Sequence, residues 1–159
     1  LSITSRILVI SDGVDTEEYI ELSKKLNSIV KTLSFNTSGS LSINIRLHPS
    51  EKNNLNLQDK DISKITDMWD DLRASDIVIA CVSTCLYQAS FIGKKPVIWI
   101  NGRSKEAYKG EYPFETAKSL EELTNLIEKF YCTSSEDTAS YVQYFKPYQF
   151  VKILNEGRL

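Results

Sequence analysis

Residues 76–81 read DIVIAC, a run too apolar to be exposed on either face, which is how the strands of a parallel sheet read. Three other short runs also read as strands: Arg6 to Ser11 (RILVIS), a buried one, Ile43 to Leu47 (INIRL), stopped by Pro49, and Pro96 to Ile100 (PVIWI). Helical spacing fills the stretches between them. Tyr19, Leu22, Leu26, Ile29 and Leu33 recur on one helical face, Ile65, Met68, Trp69 and Leu72 on a second, and Leu120, Leu123, Ile127 and Phe130 on a third. Asp15 with Glu18, and Ser119 with Glu122, have the spacing of capping boxes. A further helix begins near Ser83 and runs through Leu86, Ala89 and Phe91 to Gly93, a natural C-cap. Strand and helix alternate throughout, so the expected fold is α/β, a Rossmann-like three-layer α/β/α sandwich with a mostly parallel sheet and right-handed crossovers.

A chain of 159 residues with 42% apolar and 10% aromatic residues can bury one good core, so residues 1–159 are expected to form a single domain. Residues 134–159, aromatic-rich and interrupted by Pro147, are expected to be a helical carboxyl-terminal tail. The formal charge of −2, with acidic and basic residues interspersed, leaves no basic stripe of the kind that neutralises nucleic-acid phosphates, which argues against a nucleic-acid partner. No apolar run approaches the roughly 20 residues that cross a bilayer. Cys81, Cys85 and Cys132 are odd in number and match neither a CxxC pair nor a zinc knuckle, which fits a reducing, cytoplasmic setting. The chain opens at Leu1 and reaches a strand within six residues, as expected of a fragment of a larger protein.

In an open parallel sheet, ligands collect at the carboxyl ends of the strands, where a helix start offers unpaired N–H groups to an anion. Two segments put polar groups there: Arg46-Leu47-His48-Pro49-Ser50 and Ala80-Cys81-Val82-Ser83-Thr84-Cys85. His48 is the single histidine, and its imidazole can donate to a phosphate oxygen. Ser83 and Thr84 suit a helix N-cap, and the same hydroxyls face the crevice. Asp12-Gly13 ends the first strand, where glycine permits close backbone approach to a ligand. It is not a GxGxxG loop, which argues against a nicotinamide or flavin cofactor. Asp67, Asp70 and Asp71 read most simply as the solvated face of their helix, so no metal site is expected. Lys52, Lys94, Lys95 and Arg103 read as surface cations, any of which could approach a phosphate.

With these residues in place, the chain resembles the carboxyl-terminal, donor-binding domain of a GT-B glycosyltransferase of the bacterial sialyltransferase, polysialyltransferase and capsule or teichoic-acid polymerase group. Those proteins share a His-Pro motif after one strand, matched by His48-Pro49, and a Ser/Thr motif at a later helix start, matched by Ser83-Thr84. The pattern over Ser75 to Ile100 is similar to that group as well. The resemblance implies one half of a GT-B fold, whose amino-terminal domain lies outside this chain. It also implies a CMP- or UDP-linked nucleotide-sugar donor, a glycan acceptor, cytoplasmic synthesis of surface polysaccharide and peripheral membrane association of the parent protein. His48 then acts as the catalytic residue. With Pro49, Ser83, Thr84, Asp12 and Gly13 it would hold the donor phosphate and favour its departure without a metal or other cofactor. Two departures stand out: the second position of the Ser/Thr motif is threonine, and the acidic general base of the family's other domain has no counterpart to carry over. The isolated domain is expected to be inactive. Two other readings remain: a sugar-nucleotide epimerase of the same plan, and a non-catalytic Rossmann-like interaction module whose aromatic tail docks on a partner.

Overall fold

A computed structural model describes residues 4–34, 40–51, 61–81, 83–100 and 112–132. Five strands form one all-parallel sheet: β1 (Thr4–Ile10), β2 (Ser40–Arg46), β3 (Ile77–Ala80), β4 (Lys95–Trp99) and β5 (Glu115–Ala117), in the order β2-β1-β3-β4-β5. The register is continuous, with Ile7 opposite both Ile43 and Ile77, and Ile79 opposite Val97. Among the described residues four helices flank it: α1 (Thr16–Ser34), α2 (Met68–Arg73), α3 (Thr84–Phe91) and α4 (Leu120–Cys132).

Alternation along the strands builds a core on each face. Ile7, Val9, Ile43, Ile45, Ile77, Ile79, Val97 and Trp99 pack against α1 and α4. Leu8, Ile10, Val78, Ala80, Ile98 and Ile100 pack against Leu72 of α2 and Leu86 and Ala89 of α3. The molecule is therefore a Rossmann-like α/β/α sandwich, as the strand pattern anticipates. The tail over 134–159 and Cys132's side chain lie outside the described residues.

The strand order reverses between β1 and β3, where the chain leaves in opposite directions for β2 and β4. Beyond β2, Ile62 makes a parallel bridge to Ile45. It is held by the Ile45 N–H on the Asp61 carbonyl at 2.8 Å and the Ser63 N–H on the Ile45 carbonyl at 2.9 Å. Ile62 thus occupies, as a single residue, the place of the third strand in a 3-2-1-4-5-6 dinucleotide-binding order.

Several local expectations need correction. On α1 the described stripe is Tyr19, Leu22, Leu26 and Val30, with Ile29 turned aside and half-buried, and the side chain of Leu33 lies outside the described residues. Ile65 precedes α2 instead of joining it, because Asp67 caps the helix by accepting the N–H groups of Trp69 and Asp70. Asp15 stands at the N-cap position of α1, and the Glu18 carboxylate accepts the Trp99 indole N–H at 3.2 Å and ties α1 to β4. The second box forms in altered shape: the Ser119 hydroxyl accepts the Glu122 N–H, while Glu122 reaches back to the N–H of Lys118. Gly93 takes φ +75°, as a residue following a helix C-terminus should. Strand β5 has no precedent in the sequence reading, since Glu-Thr-Ala carries no apolar run.

Candidate functional site

A cleft of about 750 Å³ opens at the carboxyl ends of β1, β2 and β3, within the range of about 300–1,000 Å³ typical of small-molecule sites. β1 contributes Ile10, and Ser11 and Asp12 follow it. β2 and its exit contribute Arg46 through Pro49, the segment after Asp61 contributes Ile62 through Thr66, and Cys81, Ser83 and Cys85 close the far wall. Because β1 lies between β2 and β3, the chain segments carrying His48 and Ser83 leave the sheet two strand spacings apart, about 10 Å.

His48 stands on a short 3-10 turn, Pro49–Glu51, which Pro49 begins by ending the β2 ladder. The Glu51 N–H donates to the His48 carbonyl at 2.9 Å. In return the Glu51 Oε2 accepts the His48 N–H at 2.9 Å and the Ser11 hydroxyl at 2.5 Å. The Ser11 Oγ also accepts the His48 N–H at 2.9 Å, so the backbone of His48 is tied to β1 as well as to its own turn. Below the ring lies Gly13 at φ +83°, where a Cβ would come within 2.9 Å of both Cγ and Nδ1 of His48. That position accepts only glycine without moving the ring.

Asp12 lines the cleft, but as a carboxylate it can accept hydrogen bonds and cannot donate one to a phosphate. Its Oδ1 accepts the N–H groups of Val14 at 2.9 Å and Asp15 at 3.0 Å. It therefore serves the site by folding the loop that sets Gly13 beneath His48. Ser83 is the N-cap of α3, extended at φ −141°, ψ 144°, and its Oγ accepts the Cys85 N–H at 3.3 Å. Its hydroxyl proton can still be donated into the cleft. Thr84 begins the helix as an exposed residue and does not line the cleft. His48, Pro49, Asp12 and Ser83 thus line one cleft, with Gly13 beneath the His48 ring, and Thr84 stays outside it.

The electrostatics of the cleft centre on Asp71, which is fully buried and not, as its helix pattern suggests, on a solvated face. Its Oδ1 pairs with Arg6 and its Oδ2 with Arg46, both at 2.7 Å, and Ser63 donates to Oδ1 at 2.8 Å. Arg46 also donates to the carbonyls of Ile65 and Thr66 at 2.8 Å each, which fastens the cleft wall to β2. Two guanidiniums share one carboxylate, and Arg46 faces the cleft together with Lys64 and, opposing them in sign, Asp12. Tyr19 lies near the opposite side. Burial first, then the proximity of Cys81, Asp12 and Glu18, pushes its phenol up, so it stays neutral.

Of the cations considered from sequence, the two that are described lie elsewhere. Lys94 and Lys95 are at the amino end of β4, the end of the sheet away from the cleft. Lys95 donates to the Phe130 carbonyl at 2.7 Å, and burial lowers its pKa. Lys52 and Arg103 are outside the described residues. A second cavity of about 250 Å³ between α1 and the start of α4 mixes Glu18 and Glu21 with Lys25 and Lys118 and holds none of the predicted site residues. No group of three or more His, Cys, Asp or Glu side chains is arranged for a metal among the described residues, and no described helix is long and apolar enough to cross a membrane. The sequence pattern assigns no role to Ser11 or Glu51 and marks Arg46 and Ser50 only as members of the segment that carries His48. The signals were local: Arg46 two residues before His48 on a strand, and Glu51 three residues after it.

The five-stranded parallel order defines a Rossmann-like α/β domain, and the cleft at its reversal point is its candidate site. No family model matches the chain, and no curated protein matches it. Among solved structures it is similar to homoserine dehydrogenase from S. aureus at 14% identity and a TM-score of 0.46, over 87% of this chain and 31% of that one. It is also similar to the spinosyn rhamnosyltransferase SpnG complexed with thymidine diphosphate, at 13% identity and a TM-score of 0.48, over 97% of this chain and 46% of that one. The chain spans less than half the length of either. The fold class stands on the strand order and register, to which these likenesses add nothing.

Proposed function

We propose that this chain is the nucleotide-sugar-binding half of a GT-B glycosyltransferase that uses a CMP- or UDP-linked donor in bacterial surface polysaccharide synthesis. The observation that supports this reading is the meeting of His48, Ser83 and the Asp12-Gly13 turn around one cleft at the ends of three adjacent strands. In such a reaction the leaving phosphate gains negative charge as its bond to the sugar breaks. Donors already aimed at that charge stabilise it more in the transition state than in the bound donor. His48 is the catalytic residue and the hydroxyl of Ser83 its partner, with the first turn of α3 adding backbone N–H groups and its dipole. Arg46 supplies positive potential from the wall without a free fork to grip the phosphate. Hydrogen bonds would carry this step without metal chemistry. The glycan acceptor and the general base belong to the amino-terminal half of the parent protein, and the isolated chain binds the donor without turning it over.

Titration calorimetry with CMP, CDP and UDP tests the reading. At least one is expected to bind at or below millimolar concentration, and His48→Ala to weaken it about tenfold or more, the loss of a charge-assisted hydrogen bond. No heat from any of the three, or a silent His48→Ala, contradicts it.

A further inference from the structure

His48 is the only histidine of the chain, and its ring is held from one side in a way that decides what it can offer the cleft. The Ser50 Oγ lies 2.7 Å from Nδ1, and the backbone N–H of Ser50 points at the same nitrogen from 3.3 Å. A hydroxyl can donate or accept, but a backbone N–H can only donate. Two donors therefore converge on Nδ1, which must present its lone pair to them. In a neutral imidazole the proton then resides on Nε2. Among the described residues Nε2 has no hydrogen-bond partner.

We propose that Ser50 is the positioning residue of this site: its N–H and hydroxyl fix His48 as the Nε2–H tautomer, so that the neutral ring presents a hydrogen-bond donor to an acceptor-rich ligand in the cleft. With the opposite tautomer, two N–H groups would face each other at Nδ1 and a lone pair would be left for the ligand, which repels an anion. The remaining supports leave the ring little freedom. Glu51 and Ser11 hold its backbone N–H, and Gly13 fills the space beneath it. The motif thus extends past the His-Pro pair to Ser50, which sets the ring's proton, and Glu51, which sets its backbone.

That the ligand is a phosphate rests on the function proposed above, whereas the tautomer is measurable with no ligand present. Long-range proton–nitrogen correlation spectra of the histidine-labelled chain, recorded where the imidazole is neutral, show the two ring nitrogens of a single residue. The expected result is a pyrrole-type Nε2 and a pyridine-type Nδ1. In Ser50→Ala both signals are expected to move toward the average of a freely exchanging ring, and Ser50→Thr, which keeps the hydroxyl, to restore them. CMP or UDP binding is expected to fall about two- to tenfold in Ser50→Ala, the range for one hydrogen bond. Ser50 is exposed, so neither variant threatens the fold. A pyrrole-type Nδ1 in the wild-type chain, or a spectrum that Ser50→Ala leaves unchanged, overturns the assignment. If the tautomer is as assigned and no nucleotide binds, the proposed function fails and this inference stands.

Discussion

At the scale of single residues, the site depends on two positions that carry no chemistry of their own. Gly13 holds a backbone angle that L side chains rarely adopt, and it lies against the ring of His48. Gly13→Ala is therefore expected to cost about 1–3 kcal/mol in denaturant unfolding and to weaken nucleotide binding by displacing His48. An alanine variant as stable as the parent, with unchanged affinity, shows that the ring does not depend on that contact. Glu51 works in the other direction. Its carboxylate draws the His48 N–H and the Ser11 hydroxyl onto one oxygen and so joins the β2 exit to the β1 exit. His48, Pro49 and Ser83 were legible because each follows an apolar strand, and strand ends meet in a parallel sheet. Thr84 was not, since the first residue of a helix can point along the surface even when its N-cap neighbour faces the cleft.

At the scale of elements, α2 shows where pattern reading fails. Its six residues carry Asp70, Asp71 and Arg73, and spacing alone gives no reason to bury one carboxylate and expose the other. The reason lies far along the chain. Arg6 of β1 and Arg46 of β2 reach Asp71 from the sheet, so the carboxylate enters the core already paired. Removing one member of such a buried group strands the others: Asp71→Asn is expected to destabilise the domain by about 3–5 kcal/mol. It is also expected to release the Ile65–Thr66 wall that Arg46 holds. Equilibrium urea unfolding measures the first, and a loss below about 1 kcal/mol would show that the pair is not a structural tie. Strand β5 escaped notice for a different reason. Three residues without an apolar run become a strand only because β4 offers a free edge, and Ile62 joins β2 on the same terms.

At the scale of the whole molecule, the two-faced core accounts for the fold. The runs of β1, β3 and β4 are buried on both faces, since α1 and α4 cover one and α2 and α3 the other, whereas β2 at the sheet edge buries Ile43 and Ile45 on one face only. That property was visible in DIVIAC, because a parallel sheet leaves no face for water. The strand order was not visible, since it depends on which helices cover which face. The same burial makes the domain sensitive to alkali. Burial, with a smaller effect from Tyr112, pushes the Tyr87 phenol from its ordinary value of 10.0 up to about 12, and Tyr19 is raised as well. For an acid raised on folding, the stabilising contribution is intact below the unfolded value and lost as the pH climbs through the folded one. Urea midpoints are thus expected to fall between pH 10 and about 12, and Tyr87→Phe to flatten that fall. Identical slopes in the two proteins would remove Tyr87 from the explanation.

The central claim is that a nucleotide's phosphate lodges at the reversal point of the sheet. The most direct measurement is an amide chemical-shift map of the labelled chain titrated with CMP and with UDP. The prediction is that shifts gather on the N–H groups of Gly13, His48, Ser50, Glu51 and Cys85 and leave Lys94 and Leu120 still. Shifts confined to the smaller cavity beside Leu120, or none at millimolar nucleotide, would contradict it.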